Sequence, residues 1–247
     1  MARTAHALAV DPIHDEILVP NPFAQALLFF RGGASGEEKP IRIIQGPKTM
    51  LGYTDDIEVD PVHNEVFAPQ FRSDAILVFS REPGGDVAPI RILHGPKTKL
   101  DRPAGVWVDP VNNLLAVVTI GSGLLIFNRT DNGDVAPRWI IAGSKTGLAT
   151  KHTSLPKVLL YPDKKKIFVT AYTELTPEGA PVRGVGGKRV NVYNYGDTGN
   201  VPPWAILTSS PKTEMEGVSR VILNKAAKEL IVLGSGEVFV YHLPDVL

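Results

Sequence analysis

No cysteine occurs in the 247 residues. That absence removes disulfides, thiolate metal sites, c-type haem attachment and cysteine catalysis together. Net charge is missing too: 26 Lys and Arg balance 26 Asp and Glu, interleaved without an acidic or basic tail. A nucleic-acid partner therefore has no electrostatic support. No apolar run approaches the roughly 20 residues of a membrane helix, so no membrane span is expected. The opening MARTAHALAVDP has no apolar h-region, and no secretory signal is expected there. Cytoplasmic residence is the default expectation. Extracellular placement stays open, because exported proteins also dispense with cysteine.

Catalytic signatures are absent as well. The chain has no HExxH, no G-x-S-x-G and no Walker loop. The glycine-rich stretch Arg183 to Arg189 lacks a Ser or Thr after Lys188 and reads as a loop. Asp131-Asn132-Gly133-Asp134 offers fewer oxygens than a calcium cage needs and reads as turn chemistry. No metal and no cofactor are expected.

What the chain does have is one sentence written five times. Aligned on Asp-Pro, the segments are LAVDPIHDEILVP, IEVDPVHNEVFAP, VWVDPVNNLLAVV, LLYPDKKKIFVT and ILNKAAKELIVL. Each is followed by a second apolar run: ALLFFR, AILVFSR, LLIFNR, VNVYNY and VFVYHL. The first four continue into a further segment such as GDVAPIRILHGPKTKL. The period of about 48 residues is that of a β-propeller blade. Each period reads as four short strands separated by Asp-Pro, Asn, Gly and Pro turn chemistry, with no helical periodicity. Neighbouring sheets would then stack around an axis, because one sheet cannot bury both of its faces.

The predicted fold is an all-β, five-bladed β-propeller with four antiparallel strands per blade. One domain is expected over residues 1–247, with repeats at about 3–50, 51–100, 101–148, 149–215 and 216–247. Repeat five ends soon after VFVYHL, so its blade should lack the outer strand and leave its third strand as an edge. Repeat four carries a Gly/Pro-containing insertion over 171–189.

The phrase VDP-x-x-N-E, followed by I-L-V-F, resembles NHL-type repeats and their relatives among bacterial six-bladed propellers. This chain differs in a longer fourth strand, in its GPKT linker (Gly46 to Thr49, Gly95 to Thr98) and in showing only five repeats. The resemblance implies a propeller scaffold. Its members include lactonase-like and lyase-like enzymes as well as interaction scaffolds, so it does not choose an activity.

Two candidate sites follow from the repeat. Residues approaching strand one should line the mouth of the central channel. There Asp55, Asp56, Glu58, Lys157 and Arg220 stand where other repeats carry mostly Ala, Gly or apolar residues. They read either as a pocket for a small charged ligand or as a salt-bridge network closing the channel. The second site joins the loop residues Tyr172, Arg183, Lys188 and Arg189 of repeat four with Phe71 and Arg72 of repeat two. Aromatic and arginine side chains are frequent interface anchors. The expected function is a non-enzymatic interaction or structural module whose partner is another copy of itself or another protein chain. The alternative is a lactonase-like small-molecule hydrolase or lyase at the channel mouth.

Overall fold

The computed structural model describes residues 7–148, 155–171, 189–208, 218, 220–234 and 236–244. The described residues fold into consecutive antiparallel sheets of the propeller-blade type. The first sheet holds β1 (Ala9–Asp11), β2 (Glu16–Asn21), β3 (Ala26–Arg31) and β4 (Arg42–Gln45), in that order. β5 (Glu58–Asp60), β6 (Glu65–Gln70), β7 (Ala75–Ser80) and β8 (Arg91–His94) form the second. The third contains β9 (Pro103–Asp109), β10 (Leu114–Thr119), β11 (Gly123–Asn128) and β12 (Trp139–Ile141). β13 (Val158–Tyr161), β14 (Lys166–Ala171), β15 (Arg189–Asn194) and β16 (Ala205–Thr208) make the fourth. The last has three strands, β17 (Arg220–Asn224), β18 (Glu229–Leu233) and β19 (Val238–His242), with β19 at its edge. The expected four-strand blades and the three-strand final blade are both observed.

The chain divides into two compact units, residues 1–115 with 128–137, and residues 116–127 with 138–247. In the first, β1 packs on β5, and β5 and β6 pack on β9. Its core interleaves one face of the first sheet (Ala9, Leu18, Leu27, Phe29, Ile44) with the facing side of the second (Ile57, Val59, Val66, Ala68, Leu77, Phe79). Inner strands such as β6 and β10 are buried along their whole length. That explains their near-continuous apolar runs, which lack the alternation of a one-sided sheet. In the second unit, β13 and β14 pack on β17, and Phe168, Val192, Tyr193 and Val232 are fully buried.

The Asp-Pro turn is built around a carboxylate with no solvent exposure. Asp11 Oδ1 accepts the backbone N–H groups of Ile13 and His14, and its Oδ2 pairs with His14 Nδ1 at 2.8 Å. Asp60 repeats this with His63. Asp109 repeats it with Asn112, whose Nδ2 donates at 2.7 Å. His and Asn interchange here because each offers a nitrogen to the buried acid. The following residue turns into the left-handed region: Asp15, Asn64 and Asn113 have φ of 54°, 55° and 56°.

A second recurring device joins one blade to the next. The linkers at Pro47–Thr49 and Pro96–Thr98 each form one 3-10 turn. The carboxylate of Asp86, from the next blade's hairpin, accepts the Lys48 N–H at 2.7 Å. Asp134 accepts the Lys97 N–H at the same distance, and Asn200 does so for Lys145. The neighbouring glycines add parallel bridges to the outer strand: Gly85 to Ile44, Gly133 to Leu93 and Gly199 to Ile141. Gly46 is required at the linker entry. Its φ is 135°, and a Cβ there would fall 2.5 Å from the Asp86 carboxylate.

Candidate functional site

The predicted mouth residues divide between the two units. Asp55, Asp56 and Glu58 lie in the first, on the approach to β5 and at its first residue, and all three are buried. The approach is held by a polar lock: Gln70 Nε2 donates to Thr54 Oγ1 at 2.7 Å, and Gln70 Oε1 accepts the Gly52 N–H at 2.7 Å. Asp56 Oδ2 accepts the Val106 N–H of β9 at 3.1 Å, so this carboxylate anchors the neighbouring blade. Lys157 and Arg220 belong to the second unit. Buried Lys157 is zipped through its backbone to Thr170, donating to Thr170 Oγ1 at 2.8 Å and accepting from Thr170 N at 3.0 Å. Arg220 opens β17 opposite Leu233 and is half-buried. All five of these side chains belong to residues engaged by other groups. Among the described residues, no group of three or more His, Asp or Glu is arranged to hold a metal ion.

Of the loop residues, Tyr172, Arg183 and Lys188 lie outside the described residues. Phe71 and Arg72 do come together in the first unit, around a residue the sequence reading passed over. Tyr53 stacks edge-on against Phe71 (centroids 6.3 Å apart) and against Phe23 (6.5 Å), and the Arg72 guanidinium lies 5.1 Å from the Tyr53 ring centroid. Phe23 and Arg72 are exposed. This aromatic and cationic cluster has the composition of an interface anchor. Arg189, in β15 of the second unit, reaches the Gly147 carbonyl at 3.5 Å. Burial pulls its guanidinium below the usual arginine value, and this placement supports the 143–147 linker. Beside it, Asn191 Nδ2 and the Tyr193 hydroxyl both donate to the Thr146 carbonyl, and burial raises the Tyr193 phenol.

The strongest electrostatic feature is one the sequence reading missed. Glu16 is buried and receives Arg42 in a fork, with Nη1 to Oε1 at 2.9 Å and Nη2 to Oε2 at 2.6 Å. Arg81 of the next blade joins at 2.9 Å, with its Nε 3.5 Å from Asp11. Glu65 repeats the arrangement with Arg91 (2.7 and 2.8 Å), Arg129 of the next blade and Asp60. Burial alone would raise these carboxyls. The paired arginines overcome it and hold both Glu16 and Glu65 below the usual carboxylate value. The available signal was the Arg closing AILVFSR and LLIFNR, together with the Glu after the Asp-Pro turn one repeat earlier. The third repeat drops the pattern at two positions, with Leu114 in the Glu position and Trp139 in the place of Arg42 and Arg91.

Comparison with known proteins supports the architecture. No family model matches this sequence. No curated protein matches it either. Among solved structures, a chain of one titled "Crystal Structure of Mitotic Checkpoint Complex" superposes with a TM-score of 0.60 at 12% identity. The superposition covers 96% of this chain and 61% of that one, so this chain spans less than two thirds of its length. Blade topology and superposition together define a β-propeller. The fold is shared by 1112 matching chains and therefore selects no activity by itself.

Proposed function

We propose that this chain is a non-enzymatic propeller module of NHL-like repeats that acts by binding protein, and that one of its partners is another copy of itself. One observation carries the reading: among the described residues β19 is the edge strand of a three-stranded sheet, and Val238 and Val240 on it are exposed. An apolar sheet edge of this kind recruits a partner or aggregates. The cluster of Tyr53, Phe71 and Arg72 supports a further contact surface by its composition. Light scattering after size exclusion, with negative-stain images of the same fractions, tests the reading. A defined oligomer, ring or fibre is expected, and deletion of 171–189 should weaken it if that loop is part of the interface.

A second reading has one observation in its favour, the burial of Asp55 and Glu58 within a few residues of each other. On that reading the approach to β5 binds a small charged molecule and Glu58 serves as acid or base in a hydrolase or lyase of the lactonase-like type. Glu58→Gln would then abolish turnover in a lactone and ester screen while leaving the fold intact. Full activity in that variant removes Glu58 from the chemistry.

A further inference from the structure

Asn132-Gly133 is the sole Asn-Gly dipeptide of the sequence. It sits in the hairpin that follows β11, where the second repeat has Gly84-Gly85 and the fourth Thr198-Gly199. An asparagine before glycine is open to attack by the next backbone nitrogen, because glycine has no Cβ to hinder the approach. Here both reacting groups are held by one residue of the preceding blade. Ile92, in β8, donates its N–H to Asn132 Oδ1 at 2.9 Å, and its carbonyl accepts the Gly133 N–H at 2.7 Å. The His94 N–H donates to the Gly133 carbonyl at 3.2 Å and completes the parallel bridge between Leu93 and Gly133. Asp134 pins the same hairpin through the Lys97 N–H. All of these residues lie within the first unit. Asn132 itself is exposed, so water reaches the amide that the clasp holds.

We infer that Asn132 is a deamidation site gated by the junction of the second and third blades, silent while the clasp is closed and reactive when it opens. In the open state the Gly133 nitrogen gives up its proton and bonds to Asn132 Cγ, the Cγ–Nδ2 bond breaks, and ammonia leaves. Water then opens the cyclic imide at either carbonyl, which leaves aspartate or isoaspartate. Isoaspartate adds a carbon to the main chain ahead of Gly133, so Gly133 no longer meets Ile92 and His94 in register. An opening that ends this way leaves the junction loosened. The second and fourth repeats, with Gly84 and Thr198 at that position, have no amide to react.

The test incubates the full chain and a synthetic peptide of residues 128–137 side by side at mildly alkaline pH. Peptide mass spectrometry follows conversion at Asn132, and hydrogen exchange at Gly133 measures opening of the clasp. Local opening should limit the reaction, so the full chain should convert at least about tenfold more slowly than the peptide. Asp134→Ala releases Lys97 and should lose part of that protection, each variant being compared with a peptide of its own sequence. Asp134→Asn should keep it, as Asn200 does the same task for Lys145. Circular dichroism reports folding. If Asp134→Ala does not fold, the wild type in urea below its unfolding transition takes its place, and conversion should rise in step with exchange at Gly133. A full chain that converts as fast as the peptide overturns the gate. So does a conversion rate that stays constant while exchange rises. Absence of conversion at Asn132 in a folded chain whose Gly133 exchanges freely overturns the site.

Discussion

At the scale of single residues, the shared carboxylates do the joining. Glu16 and Glu65 each bind one arginine of their own blade and one of the next. Removing one member of a buried charged group leaves the others uncompensated, which typically costs about 3–5 kcal/mol. Arg81→Ala and Arg129→Ala should each destabilise by that order, read as a lowered urea midpoint. That is a large share of the roughly 5–15 kcal/mol of a typical domain. The pH dependence has a definite sign. Both glutamates titrate below the ordinary 4.5 in the folded chain. Their contribution is therefore complete above that value and disappears as pH falls through the folded pKa. Urea midpoints should drop on acidification, and the drop should be shallower in Arg81→Ala. On the approach to β5, Asp56→Ala takes the acceptor from the Val106 N–H and should cost about 1–3 kcal/mol.

At the scale of elements, the linker and the hairpin of the next blade behave as one part. Asp86→Ala removes the group that caps the Pro47–Thr49 turn and should cost about 1 kcal/mol. Asp86→Asn should be milder, because Asn200 already performs the same task for Lys145. Gly46→Ala should be worse than either, since its backbone lies where L-residues rarely go and the added carbon strikes Asp86. Thermal melts of the three variants would establish the order. The strands, the Asp-Pro turns and the short final blade were legible in the sequence, because apolar runs, turn residues and period are local signals. The partners of Asp86 and Arg81 were not. Each reaches across a blade boundary to residues some 38 and 65 positions away, and the repeat shows only that a residue recurs, not what it touches. Tyr53 escaped for a related reason: it belongs to the irregular approach to β5, where no repeat position flags it, and only folding brings it against Phe23 and Phe71. Glu58 was legible as a departure from an apolar column, and Asp56 as a charge where two other repeats carry Ala or Gly. The role of Asp56 as an acceptor for β9 was not.

At the scale of the whole molecule, the repeat packs neighbouring blades face to face inside each unit. The first two blades bury facing apolar sides against each other, and β4, β8 and β12 each gain a glycine bridge from the next blade. Among the described residues β19 is the edge of the last sheet, and Val10 and Ile43 of the first blade are exposed. The most direct measurement is the solution mass of the purified wild-type chain across a hundredfold range of concentration. Self-association predicts a mass above that of one 26.7 kDa chain, rising with concentration toward a closed ring or a growing fibre. A mass of one chain at every concentration would contradict it.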